Sequence, residues 1–301
     1  MIAAVGMFDG VHSGHRYLIE QLKNNAEKYG LEPAVITFCN HPLSIINPPI
    51  APLLITDTET KHSLLRKCGI DNIYVLPFDA GLRNLTARGF ADTVLSRYNV
   101  KTVQLGFNNS FGSDRLKGTD AFNRELNPIG INVVDSLQYP DSTVSSSIIR
   151  NLIKNGDITA ATALLGHPYT ISGTVVKGRQ IGRTIGFPTA NLSVPDNILI
   201  PGRGVYAARV VAPAHLSGLP AMLNIGTAPT ITHSDNAPVS IEAHIILPND
   251  TPSTDNTNLD LYKRKLTLDI ISRIRDEKHF DNIDALIKAL EKDKATTLLL
   301  Q

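Results

Sequence analysis

The chain has 301 residues, 42% of them hydrophobic, which is enough for two cores and long for one. Its 29 basic and 28 acidic residues leave a net charge of +1, so a general electrostatic pull toward nucleic acid or a membrane surface is excluded as the basis of function. The start MIAAVGMF carries no charged leader, no apolar run reaches a membrane span, and Cys39 and Cys68 build no disulfide framework; a cytoplasmic protein is expected.

In chain order, Ile2 to Val5 is an apolar run of the kind that forms a buried parallel strand. Tyr17, Leu18, Leu22, Ala26 and Tyr29 then recur at helical spacing, Gly30 stops that helix, and PAVITF (Pro33 to Phe38) is a second strand. TDTETKHSLLRKCG predicts a helix ended by Gly69, NIYVLPF a strand, TARGFADTVLSRY a helix capped by Thr86, and KTVQLG and INVVDS two more strands. Such alternation predicts a doubly wound parallel sheet, an α/β fold. From Ser145, SSSIIRNLIKNGDITAATALLGHP predicts two short helices separated at Gly156 and closed by Gly166 to Pro168. The pattern then changes: YTISGTVVKG, GVYAARVVA, PAMLNIG, VSIEAHIIL and KLTLDIISRI are β-rich and punctuated by Gly, Pro, Asn and Asp, which predicts a small antiparallel barrel. DNIDALIKALEKD is an amphipathic helix expected to plug or flank it. The boundary is expected near Gly166 to Thr170, giving domains 1–166 and 167–301.

Chemistry concentrates in two stretches. GMFDGVHSGH (Gly6 to His15) lies at a strand's carboxyl end and opens a helix, where backbone N–H groups and the helix dipole favour an anion. Gly14 lets a phosphate approach the backbone, and His12 and His15 supply donors on either side, a pattern suited to a triphosphate. Zinc is the alternative, with Cys39 and His41 completing four ligands, although the spacing fits no zinc-finger pattern. SSSIIR (Ser145 to Arg150) offers hydroxyls and an arginine at a second helix start, either a plain cap or a second anion cradle. In the β-rich half, KGRQIGRTIGFPTANL carries Gly178, Gly182 and Gly186, followed by Thr189 and Asn191 on one side of a strand. A glycine-rich hairpin is the plain reading; the hydroxyl and amide oxygens suit magnesium and phosphate.

These stretches resemble the prokaryotic bifunctional FAD synthetases. GMFDGVHSGH is similar to their GxFDGxHxGH form of the nucleotidylyltransferase HxGH signature, TFCNHP to TFxPHP, LGFNNSFG to GxNFxFG and VSSSIIR to ISSTxIR. KGRQIGRTIGFPTANL resembles the GxxxGxxxGFPTAN of riboflavin kinases, and GVYA, NIGTAPT, SIEAHI, LDLY and IRDEKHF follow in that family's order. The resemblance implies an α/β nucleotidylyltransferase domain joined to a β-barrel kinase domain. Riboflavin, FMN and ATP would be substrates, FAD the product, Mg2+ the metal, and small molecules the partners; nothing in the sequence speaks to self-association. By the same resemblance His12 and His15 stabilise the transferred phosphates, and the backbone around Gly6 and Phe8 lines the nucleotide. Asn108 contacts the nucleotide, Ser146 and Arg150 hold its phosphate tail, Glu242 is the kinase base, and Arg275 and Phe280 face the flavin. Asn40, Asn109 and Lys263 depart from the family pattern, standing for a proline, an aromatic and a glycine. A single retained activity, or a flavin sensor without turnover, is the alternative reading. A sensor has no need of a base at position 242.

Overall fold

The computed structural model describes residues 1–106, 111–141, 143–178, 180–227, 239–248 and 261–301. Two compact units make up the chain, Met1–Ser146 and Ser147–Gln301.

In the first unit the order is β1 (Ile2–Val5), α1 (Ser13–Tyr29), β2 (Pro33–Phe38), α2 (Leu43–Ile46), α3 (Thr58–Lys67), β3 (Asn72–Leu76), α4 (Ala80–Asn84), α5 (Ala87–Phe90), β4 (Thr102–Leu105), α6 (Thr119–Leu126) and β5 (Asn132–Asp135). The strands form one parallel sheet in the order β3-β2-β1-β4-β5. Every residue of β1 is buried because helices cover both faces. Ala3 and Val5 enter the core shared with Phe90, Phe122 and Leu126, while Ile2 and Ala4 meet Ile19, Leu22 and Ala26 of α1. The sequence pattern shows no helix between the strands KTVQLG and INVVDS, yet α6 makes that crossover. It is eight residues long and buries only Phe122 and Leu126, too short a stripe to read by periodicity. Because β1 lies between β2 and β4, the turn after it sits at the topological switch point, where open α/β sheets bind ligands.

The second unit contains α7 (Ser146–Lys154, which begins at the seam), α8 (Ile158–Leu165), β6 (Tyr169–Val176), α9 (Ile181–Thr184), β7 (Ala190–Ser193), β8 (Gly204–Ala212), β9 (Pro220–Thr227), β10 (Val239–Ile245), β11 (Lys265–Arg275) and α10 (Ile283–Leu299). Its strands close into an antiparallel barrel in the order β10-β7-β6-β11-β8-β9. The C-terminal helix flanks the barrel: Ile287 and Leu290 pack against Phe187, Met222 and Ile246. At Lys263 the backbone takes φ +63°, the left-handed conformation that glycine adopts without strain. Helices α7 and α8 pack with the barrel. The Gly202 N–H donates to the Ile153 carbonyl at 3.1 Å, and a Cβ at Gly156 would meet the Tyr206 hydroxyl at 2.8 Å. The seam between the compact units therefore lies before these helices, whereas the change of sequence pattern comes after them.

Candidate active sites

The turn after β1 is strained and held from outside. Phe8, Gly10 and Val11 all have positive φ, at 48°, 82° and 39°, and two of the three carry side chains. The buried Asp9 carboxylate locks the turn by accepting from the N–H groups of Ile55 (2.9 Å) and Thr56 (3.2 Å), while the Gly10 N–H donates to Thr56 Oγ1 at 3.1 Å. Gly6 is committed to the sheet through its N–H to the Ile36 carbonyl, and the Phe8 ring is buried, so both contribute backbone to the turn's shape. Ser146 Oγ donates to the Asp9 carbonyl at 3.1 Å, which brings this residue onto the same turn.

His12 caps α1: its Nδ1 accepts the His15 N–H at 3.3 Å, so in the neutral ring the proton sits on Nε2. The two imidazoles stack at 3.6 Å with 16° between their planes, and Phe8 tilts against His15 at 5.2 Å. A Cβ at Gly14 would come within 3.3 Å of the His12 ring, so a side chain there would crowd the stacked pair. His15 Nδ1 is enclosed and has no hydrogen-bond partner among the described residues. Burial, then the charges of His12 and Lys61, hold His15 well below the ordinary histidine range, so it is a neutral imidazole at pH 7. Two imidazoles stand at a helix N-terminus beside a strained turn, where backbone N–H groups and the helix dipole favour an anion.

The second site lies where β7 and β10 pair. Glu242 stands opposite Asn191 on one side and Asn224 on the other, and Thr189 Oγ1 donates to Glu242 Oε2 at 3.1 Å. His244 Nδ1 donates to the Pro188 carbonyl at 2.9 Å and so fixes the approach to Thr189. A cavity of about 500 Å3 is lined by Lys177, Gly178, Arg183 and Tyr262. Another of about 300 Å3 is largely apolar, with Phe187, Met222, Phe280, Leu286 and Leu290 around Glu242. Thr189 and Asn191 line both, so the two cavities meet at these side chains and Glu242. The three glycines act differently. A Cβ on Gly178 would strike the Asn191 amide nitrogen at 2.1 Å, one on Gly182 the Phe187 carbonyl at 2.2 Å, and Gly186 needs φ +81°. Asn191 therefore lies flat against the Gly178 backbone. Thr189 and Asn191 present hard oxygen donors beside a cavity, a donor set that fits magnesium held mainly by phosphates. Among the described residues no group of three or more His, Cys, Asp or Glu side chains is arranged to hold a metal, the His12, His15, Cys39 and His41 set included.

The FAD synthetase family model matches residues 1–148 and the riboflavin kinase model residues 165–300. A bifunctional riboflavin kinase/FMN adenylyltransferase of Listeria monocytogenes is 36% identical over 98% of this chain and 91% of its own length. The chain belongs to that bifunctional family. Relatives of the same description from Bacillus subtilis and Escherichia coli are 33% and 31% identical, over 97% and 98% of this chain and 90% and 91% of theirs. A crystal structure described as a macrolide-efflux protein from Streptococcus pneumoniae superposes with a TM-score of 0.81 at 31% identity, covering 98% of this chain and 93% of that one. No helix among the described residues is long and apolar enough to cross a membrane.

Among the family's motif residues, Gly6, Phe8, His12, Gly14, His15 and Ser146 gather at one turn, and Gly178, Thr189, Asn191 and Glu242 at the cavity junction. Arg150 is buried on α7, and Asn108 lies outside the described residues, as do Asn109 and parts of NIGTAPT and LDLY. Asn40 bridges both backbone groups of Phe78, accepting its N–H at 2.8 Å and donating to its carbonyl at 2.9 Å, two bonds a proline side chain lacks. Arg275 lines the apolar cavity, but its guanidinium is committed to Asp293, with contacts of 2.8 to 3.1 Å, and to the Asp276 carbonyl at 3.0 Å. Its Cζ lies 5.6 Å from the Phe280 ring centroid. Asp293, 2% exposed, was invisible to motif reading and is the anchor of this corner. Asp293→Ala leaves the Arg275 charge unpaired under α10, so unfolding of the second unit is expected to come easier by about 3 kcal/mol. Denaturant titration measures that loss, and a higher KM for riboflavin is expected as Phe280 loses its support. An unchanged midpoint with unchanged KM contradicts the anchor role.

Proposed function

We infer that the chain makes FAD in two steps, phosphorylating riboflavin with ATP in the barrel and adenylylating FMN with ATP at the turn after β1. The observation that supports the first step most directly is the Thr189–Glu242 hydrogen bond at the meeting of two cavities, one of mixed lining that includes Lys177 and Arg183 and one largely apolar. In this reading the apolar cavity takes the flavin ring and the other takes ATP. Glu242 accepts the proton of the terminal ribityl hydroxyl as that oxygen attacks the γ-phosphorus, the bond from the γ-phosphorus to the β,γ-bridging oxygen breaks, and ADP leaves. Magnesium, held by Thr189, Asn191 and the phosphates, would neutralise phosphate charge when bound. In the second step an FMN phosphate oxygen attacks the α-phosphorus of ATP and pyrophosphate leaves. No side-chain nucleophile is needed, so alignment and charge stabilisation by His12, His15 and the turn's backbone carry the catalysis. Ser146 and Arg150 are assigned to the phosphate tail. The partners are then small molecules, and the place of action is the cytoplasm.

Incubation with riboflavin, ATP and magnesium, followed by separation of the flavins, tests both steps; accumulation of FMN without FAD, or neither product, contradicts the reading. We assign adenylylation to 1–166 and phosphorylation to 167–301. A fragment starting at His167 keeps the Gly178 to Asn191 loop, Glu242 and α10, and is expected to phosphorylate riboflavin. One starting at Ser147 keeps α7 and α8 as well and is expected to unfold at a higher temperature, since Ile153 and α8 then remain on the barrel. Folded fragments without kinase activity, from a chain that has it, contradict the assignment.

A further inference from the structure

Lys61 shares the buried stripe of α3 with Leu65 and is 2% exposed, unusual for a lysine. Its Nζ donates to the Phe38 carbonyl at 2.5 Å and to the Met7 carbonyl at 3.2 Å, groups at the end of β2 and just beyond β1. Thr37 Oγ1 donates to the same Met7 oxygen at 2.9 Å. A few residues upstream, Ile55 and Thr56 hold the Asp9 carboxylate. Residues 55–61 thus grip the turn at Met7 and at Asp9, on either side of Phe8, whose φ of 48° a bulky residue keeps only when its surroundings impose it. Burying an ammonium is costly, and here its hydrogen bonds to the Phe38 and Met7 carbonyls offset that cost while tying α3 to the turn. The charged or titratable groups acting on or facing Lys61 are Asp9 from the turn, Cys39 past β2 and His15 on α1.

We propose that Lys61 is a positioning residue of adenylyl transfer: its buried ammonium clamps the Met7 carbonyl, fixes the strained Phe8 to Val11 turn, and keeps a positive charge beneath the place where the triphosphate binds. This rests on the assignment of adenylyl transfer to this turn. Burial lowers Lys61 to about 8, against the opposing pull of Asp9 and Cys39, so the charge is present below that pH and lost above it.

With FMN, ATP and magnesium, Lys61→Met is expected to lower kcat/KM for adenylylation by about 10²-fold, while riboflavin phosphorylation by the same preparation is unchanged. Lys61→Arg, which keeps charge and donors, is expected to recover activity to within about tenfold of the parent. The parent's kcat/KM for adenylylation should fall as pH rises from about 8 to about 9.5, and that of Lys61→Arg should not, because kcat/KM reports the free enzyme's ionisation. Should Lys61→Met fail to fold, the pH profiles of the parent and Lys61→Arg decide alone. Parent-like adenylylation by Lys61→Met, or a flat parent profile over that range, overturns the proposal. A parent that makes no FAD from FMN at any pH overturns instead the assignment on which it rests.

Discussion

Replacing Glu242 by glutamine is expected to lower riboflavin phosphorylation by about 10²-fold or more while FMN supplied from outside is still converted to FAD. Glutamine keeps the length and the hydrogen-bond acceptor that meets Thr189 Oγ1 at 3.1 Å, so the cavity junction stays assembled. What is lost is the basic oxygen. In this reading the ribityl hydroxyl sheds its proton as it attacks, and Glu242, held between Asn191 and Asn224 and bonded to Thr189, is the carboxylate at the cavity junction that takes it. Steady-state rates of FMN formation and of FAD formation from FMN, measured on one preparation, separate the two reactions. A parent-like kinase rate in Glu242→Gln would falsify its role as the base.

His15→Ala gives the opposite pattern: riboflavin still becomes FMN, FMN accumulates, and FAD formation drops by about 10²- to 10³-fold. The ring lies on His12 and against Phe8, so deleting it removes the stack on the His12 ring together with the phosphate donor assigned to this position. Equal loss of the two reactions in a folded variant would count against the assignment. A second readout follows from its ionisation. The folded chain holds His15 below the 6.5 of an exposed histidine, so the unfolded chain binds the proton the folded one refuses. The stability this contributes is full above about pH 6.5 and falls as the pH drops below it. Denaturant midpoints across that range should show the decline in the parent and a shallower one in His15→Ala.

Much of this architecture was legible along the chain because the signals are local. The four apolar residues of β1, the stripe of α1 ending at Gly30, and the shift to β-rich segments after Pro168 each need only near neighbours to be read. The same holds for His12 and Gly14, whose roles as cap and close-approach residue belong to one helical turn. Asp9 stands within its motif, but its task depends on Ile55 and Thr56, brought against the turn by the packing of the fold. Helix α6 was hidden by its length, with two buried apolar residues to mark it.

What the sequence determined by itself was the inventory: a parallel α/β unit, a β-barrel, and the motif residues of two nucleotide chemistries. The tertiary structure decided which of those residues meet. Thr189 and Glu242 are 53 residues apart and touch only because β7 pairs with β10 when the barrel closes. Arg275, expected to face the flavin, is bound to Asp293 because α10 returns across β11. Lys61 looks like any solvated helix lysine until α3 packs its stripe against the ends of β1 and β2. Side-chain periodicity is set by the backbone of one segment, so it survives in the sequence. The partner of a buried charge is set by the pairing of distant segments, and the chain acquires it only on folding.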